Sequence, residues 1–304
     1  MQRASFLKLV RTFFYQRGYV ELDTPILIKK PGMEPYLDPM LVGSPHLENE
    51  GYLITSPEYS HKKALSLGLE KVFEFSHCFR SGEKGDLHTK EFLLLEFYEV
   101  GINEYDLMEI CKDLILFLQT EFRNLGVPRE SIQSITIQEL FKRFLGIEPS
   151  RDELILYLEQ NYGRNDYTRM YYEDLFFLVF LNFIEPKFTS SFFFLHDYPQ
   201  ELAALARVEN NHACRFELYF GRVELGNAFY ELNSYEEQEK RFIQEQEKRR
   251  ELGKEVFAID YEFLESLKTL PDCSGIAIGL DRLFMVFMGK ESLKDVSPYY
   301  GVID

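Results

Sequence analysis

Four segments of this chain read as strands, and each carries charge where a buried strand should carry none. They are Val72–Arg80 (VFEFSHCFR), Glu91–Val100 (EFLLLEFYEV), Phe216–Leu232 (FELYFGRVELGNAFYEL) and Ser274–Arg282 (SGIAIGLDR). Successive strand residues point to opposite faces, so a charge recurring among apolar neighbours marks one face for something other than packing. Together the segments place two arginines and several carboxylates on sheet structure. That asks of the chain a sheet with one face that presents a polar site.

The rest of the pattern supplies the helices. Phe6, Leu9, Val10, Phe13 and Phe14 recur at helical spacing, which predicts a helix over Arg3–Gln16 stopped by Gly18. Tyr19–Leu22 is then extended, ending near Pro25. Residues 29–50, rich in Pro, Gly and Glu, read as irregular. Tyr52–Thr55 reads as a short strand. Ser56 is placed to cap a helix that starts at Pro57 and runs to about Gly68. Val72–Arg80 and Glu91–Val100 form a hairpin around the polar loop 81–90. A helix follows from Glu104 to about Leu125. The chain is expected to be one domain over residues 1–304, with a helical insertion at about 126–212 that carries no assignable motif, apart from a buried strand at Phe192–Leu195. Glu236–Glu255 reads as a charged helix with a solvated face. Leu280–Met288 reads as an apolar helix stopped by Gly289.

Charge and cysteine content narrow the function. The net charge is −16 over 304 residues, which repels phosphate backbones and makes tRNA an unfavoured partner. No run of 18 apolar residues exists, so no membrane span is expected. Cys78, Cys111, Cys214 and Cys273 form no CxxC pair and no zinc spacing. A reduced, cytoplasmic protein without zinc is expected.

The charged positions can be weighed one by one. If the Phe216–Leu232 segment turns at Phe220-Gly221, Glu217 stands directly across from Glu224. Like charges so placed are destabilising. Either they share a cation such as Mg²⁺, or both are exposed on a solvent face. Glu231 joins their face only if a bulge near Gly226 breaks the alternation. Arg80 ends a strand with apolar neighbours; it either holds carboxylate and phosphate through its planar fork or makes a surface ion pair. Glu96 and Tyr98 share one strand face and suit an ammonium group, or are a buried phenol beside an exposed acid. Gly279 marks a strand-to-helix switch where a flat ligand could approach the backbone. Arg282, in the first helical turn, opposes the helix dipole and calls for a phosphate or for an acidic neighbour such as Asp281 or Asp295. His88 lies in the loop after Arg80, within reach of a phosphate.

Taken together, these segments resemble class II aminoacyl-tRNA synthetases over nearly the whole chain. The helix and strand ending at Pro25 are similar to the first class II motif, a dimer element. Phe79-Arg80 is similar to the second motif, and Gly275–Arg282 to the third. Ser56-Pro57-Glu58 and Glu224–Leu232 resemble the lysyl branch. The first motif begins almost at Met1, so no anticodon-reading barrel is expected before it, and Asp272–Gly279 resembles the DCSGVALG-like sequence of the elongation factor P–lysine ligase family. The resemblance implies activation of lysine or β-lysine by ATP, and transfer to a lysine side chain of elongation factor P. It implies an α+β fold, an antiparallel sheet flanked by helices, as well as a homodimer and Mg²⁺.

It also implies roles. Arg80 bridges the amino-acid carboxylate and the α-phosphate, and Arg282 holds the γ-phosphate. Glu217 and Glu224 bind Mg²⁺. Glu96, Tyr98, Asn227 and Glu231 receive the side-chain ammonium, while Ser56 and Glu58 face the substrate amino group. Glu83, His88, Thr89, Glu224, Leu225 and Gly279 border ATP. Ala277 stands where lysyl synthetases usually have glycine, and its methyl reshapes the amino-acid pocket toward a β-amino acid. Two positions depart from the family pattern: Gly82 replaces the adenine-contacting glutamate, with Glu83 one residue later, and Thr89 replaces an asparagine. The alternatives are a lysyl-tRNA synthetase-like enzyme acting on tRNA or a small molecule, and a silent paralogue that only binds.

Overall fold

The structure, a computed structural model, describes residues 1–44, 47–122 and 132–297. The chain divides into two compact units, Met1–Val127 with Glu231–Asp304, and Pro128–Tyr230.

The first unit begins with α1 (Gln2–Gln16), β1 (Val20–Glu21) and a small three-stranded sheet, β2 (Leu27–Ile28), β3 (Met40–Ser44) and β4 (Leu47–Leu53), in the order β2-β4-β3. The expected irregular stretch at 29–50 is therefore corrected: two of its segments are strands, although residues 45–46 lie outside the described residues. Next come α2 (Glu58–Ser66), β5 (Lys71–Phe79), β6 (Glu91–Val100) and α3 (Glu104–Glu121). In α2 the cap sits one residue later than expected: Pro57 is the N-cap, and the Ser56 hydroxyl accepts the Glu58 N–H at 3.4 Å. At α3 the Asn103 side chain accepts from the amides of Tyr105 and Asp106, and Asp106 returns the contact, a reciprocal cap. The helix expected to reach about 125 ends earlier, at Glu121, with Phe122 as its C-cap.

The second unit contains β7 (Gln133–Thr136), α4 (Ile137–Leu145), α5 (Arg151–Tyr162), α6 (Tyr172–Val179), β8 (Phe192–Pro199), β9 (Val208–Glu209), β10 (His212–Phe220) and β11 (Val223–Tyr230). Its strands run β11-β10-β8-β7, with β9 also on β10. Helix residues such as Phe141, Leu158, Phe176 and Phe180 bury against Tyr198 and Tyr219 of the strands. The strand expected at Phe192–Leu195 is the start of β8, and segment 126–212 supplies β7 and β9 besides.

The first unit resumes with α7 (Tyr235–Glu251), α8 (Tyr261–Leu267), β12 (Cys273–Gly279) and α9 (Leu280–Phe287). Its main strands run β1-β5-β6-β12, antiparallel except for β1 beside β5. The α+β class and the antiparallel sheet flanked by helices are as expected.

The two faces of this sheet differ sharply. One is apolar: Phe14 of α1 stacks on Phe73 at 4.9 Å and meets Phe97 at 4.8 Å, with Phe6, Val10 and Phe13 fully buried. Each such side chain contributes roughly 1.5–3 kcal/mol. The other face carries Glu74, Ser76, Cys78, Glu96 and Tyr98, buried beneath α2. Helix α7 is not wholly solvated, as its charge had suggested. Arg249 is 1 % exposed and donates to the carbonyls of Glu34, Leu37 and Glu255, with Asp38 Oδ1 at 3.0 Å.

Candidate active site

The register of the β5-β6-β12 sheet decides which side chains share the polar face. Glu96 pairs with Glu74 on one side and Ala277 on the other; Tyr98 pairs with Val72 and Gly275. Directly opposed residues project to the same face, so Glu96, Tyr98, Ala277 and Gly279 lie together, with Arg80 just past the end of β5.

Three buried carboxylates converge here. Glu96 is 1 % exposed, Glu231 1 % and Glu58 9 %. The Tyr98 hydroxyl donates to Glu96 Oε1 at 2.7 Å, while Glu96 Oε2 is buried without a hydrogen-bond partner. Burial pushes the Glu96 carboxyl well above its ordinary range, and the charges of Glu58 and Glu231 push it further. Lys62, which no motif had singled out, reaches both Glu58 and Glu231 at 2.5 Å. Its signal was present: Glu58 and Lys62 are four apart on one helix, the spacing of an ion pair. Beside them His61 Nε2 lies 2.8 Å from Glu74 Oε2, and Thr24 donates to both Glu74 oxygens. Burial opposes the Glu74 charge, but His61 and Thr24 hold its carboxyl below the usual value.

Arg80 has no ion pair among the described residues; its guanidinium lies 4.9 Å from the Phe92 ring and its Nε is buried without a partner. Its backbone N–H bonds the Lys90 carbonyl and closes the loop. Arg282 sits in the first turn of α9, as expected, and donates from Nε to the Leu87 carbonyl at 3.1 Å. Asp281 is engaged elsewhere, 2.6 Å from Arg3 and accepting the Leu93 N–H. In the loop, Glu83 faces His88 at 3.6 Å, and the Thr89 hydroxyl donates to the Glu91 carbonyl. Ser56 and Glu34 line a cavity of 520 Å³ together with Thr55, Tyr59, Lys63 and Asp260.

In the second unit the expected pairing of Glu217 with Glu224 is corrected. The turn falls one residue later, with Phe220 opposite Val223, and a bulge leaves Leu225 as the extra residue beside Gly226. Tyr219 therefore opposes Glu224, and Glu217 opposes Asn227. Glu217 is held by Arg215 at 2.6 Å and by the hydroxyls of Tyr198 (2.5 Å) and Tyr219 (3.1 Å); Arg215 also reaches Asn227 Oδ1 at 3.0 Å. Arg215 lies two residues before Glu217 on the same strand face, a signal the sequence offered.

No group of three or more His, Cys, Asp or Glu able to hold a metal occurs among the described residues. The two glutamates fit only an ion that brings other oxygen ligands, as Mg²⁺ does when bound to phosphates.

Burial pushes the Glu217 carboxyl from 4.5 up to about 7, against the pull of Arg215 and with the charge of Glu224 adding to it. The folded protein then binds this proton more tightly than the unfolded chain. Stability should fall as pH rises from 4.5 toward about 7 and level off above. Glu217→Gln cannot titrate, so its urea denaturation should lack that component of the slope. Identical pH slopes in the two proteins would count against it.

Known proteins resemble this chain over nearly its whole length. Residues 1–301 match the family described as tRNA synthetases class II (D, K and N). An elongation factor P–(R)-β-lysine ligase homologue of Aquifex aeolicus is 35 % identical over 300 residues, covering 97 % of this chain and 96 % of the relative. The elongation factor P–(R)-β-lysine ligases of Vibrio atlanticus and Salmonella schwarzengrund are each 33 % identical, covering 98 % of this chain and 94 % of the relative.

Proposed function

This chain belongs to the class II tRNA synthetase family (D, K and N), and within it to the elongation factor P–(R)-β-lysine ligases, and on that premise we propose that it activates a lysine-type amino acid with ATP and transfers it to a lysine side chain of elongation factor P. The observation that carries the reading is the buried pair Glu96 and Tyr98 on a sheet face that ends at Arg80, together with buried Glu58 of α2 and Glu231 joined to it through Lys62. Such a set receives a cationic side chain and would reject an acidic or neutral one, because a buried carboxylate left without a cation costs about 3–5 kcal/mol.

The first step needs no general base. The amino-acid carboxylate is already ionised and attacks the α-phosphorus in line, with pyrophosphate leaving. This chain contributes position and positive charge: Arg80 toward the carboxylate and α-phosphate, Arg282 toward the terminal phosphate. Glu217 and Glu224 would hold Mg²⁺, which supplies charge neutralisation on the phosphates. In the second step a neutral lysine amine attacks the mixed anhydride, and AMP leaves.

Pyrophosphate exchange should depend on α- or β-lysine and on Mg²⁺, and be absent with aspartate or asparagine. Incubation with ATP, β-lysine and elongation factor P should then add one acyl group to that protein by mass. Strong exchange with aspartate would sink the lysyl assignment.

A further inference from the structure

Lys62 is the one lysine among the buried residues described, at 1 % exposure. It occupies the side of α2 that faces the sheet, one turn after Glu58, on a stripe shared with His61 and Leu65. Its Nζ stands 2.5 Å from Glu58 Oε1 and 2.5 Å from Glu231 Oε2. Glu96 is close enough to feel all three charges. Burial works against the Lys62 charge, but Glu231 and Glu58 outweigh it and hold the ammonium protonated. Glu58, Glu231 and Lys62 together carry one net negative charge, and Glu96, held toward its neutral form by burial and its acidic neighbours, gains its charge when a ligand ammonium comes beside it; the four side chains then complement the two ammonium groups of a diamino acid.

We propose that Lys62 is a positioning residue of the amino-acid receptor, an internal cation that clasps Glu58 to Glu231 and sets the receptor's charge to match a diamino acid. The proposal rests on the reading that this receptor takes a lysine-type substrate. Without Lys62, two buried carboxylates would face each other unneutralised. One must then take up a proton or swing away. In either case the substrate meets the wrong charge or the wrong geometry. With its Nζ committed to two carboxylates, Lys62 acts on binding and not on phosphoryl chemistry.

The test uses the full chain. Lys62→Met keeps most of the buried stem and removes the charge. Titration calorimetry with α-lysine and with β-lysine should show Kd raised about 10- to 100-fold, the range for losing hydrogen bonds to charged groups. Pyrophosphate exchange at saturating amino acid should keep kcat within about threefold of wild type, since uniform binding and not the transition state is affected. A role in packing alone would leave Lys62→Met unchanged, and unchanged Kd overturns the proposal. So does a loss confined to kcat.

Lys62→Ala supplies a second arm that does not depend on the methionine variant folding. Added propylammonium should restore amino-acid binding, and propanol, which fills the same space without charge, should not. Equal rescue by both, or by neither, overturns the proposal. The two readings fail differently. A wild-type protein that binds neither lysine isomer removes the functional reading and this proposal with it. A wild type that binds, beside an unchanged Lys62→Met, removes only the proposal.

Discussion

Arg80→Met is expected to lower kcat for pyrophosphate exchange by about 10²- to 10³-fold, the effect of removing one preorganised donor at a developing charge, roughly 2.7–4 kcal/mol. The expectation comes from what Arg80 lacks. It stands at the end of β5 with no ion pair among the described residues and with a buried Nε that has no partner. A half-buried guanidinium without an anion of its own is held ready for one. Removing it should do little to the unfolding midpoint, because no ion pair is broken. Arg80→Lys should recover only part of the rate, since the ammonium cannot reproduce the planar fork that spans carboxylate and phosphate. Exchange within about threefold of wild type in Arg80→Met would show that the arginine does not meet the reacting groups.

Gly275→Ala is expected to be nearly as severe, through a different cause. A Cβ at this position would lie 2.1 Å from two ring carbons of Tyr98, far inside van der Waals contact. The backbone there is ordinary strand, paired with Tyr98 across the β6-β12 ladder, so the obstacle is the ring and not the glycine's own conformation. Tyr98 must move, and its hydroxyl is what holds Glu96 Oε1 at 2.7 Å. Overpacking of this kind costs about 1–3 kcal/mol, and disturbing the Glu96 hydrogen bond adds to it. The measurement is a double-mutant cycle on amino-acid binding. In a Tyr98→Ala background the ring is gone, and Gly275→Ala should then cost little. Equal costs in both backgrounds would show that Gly275 acts through something other than Tyr98.

Much of the first unit's polar face was legible because strand alternation carries its own register. Glu96 and Tyr98 two apart, Arg80 at a strand end and Gly279 at the switch into α9 all follow from period and punctuation. What escaped depended on information that alternation does not hold. A hairpin turn displaced by one residue moved Glu224 out of register with Glu217. The strands within 29–50 are short and interrupted by Pro and Gly, so composition spoke for irregular chain. Lys62 and Arg249 looked like ordinary surface charges on helices rich in them. Only tertiary packing reveals that each is 1 % exposed. His61 and Glu74 were missed for the same reason: neither belongs to a motif, and their contact joins a helix to a strand.

The buried Arg249 also orders events in time. Its guanidinium holds the carbonyl of Glu34, 215 residues away along the chain, and Glu34 borders the cavity. Glu58 and Glu231 are likewise joined only through Lys62 after most of the chain has been made. At about 5–20 residues per second of synthesis, roughly 10–40 s separate the emergence of Glu34 from that of Arg249. The helix α1 and the β5-β6 hairpin can form early from local contacts, whereas closing such long loops comes late. A nascent chain therefore carries Glu58, Lys62 and Glu96 before Glu231 exists to complete the clasp. The amino-acid receptor is among the last parts of the molecule to be built, and an amino-terminal fragment ending before residue 231 would own most of the sheet but an unclosed receptor.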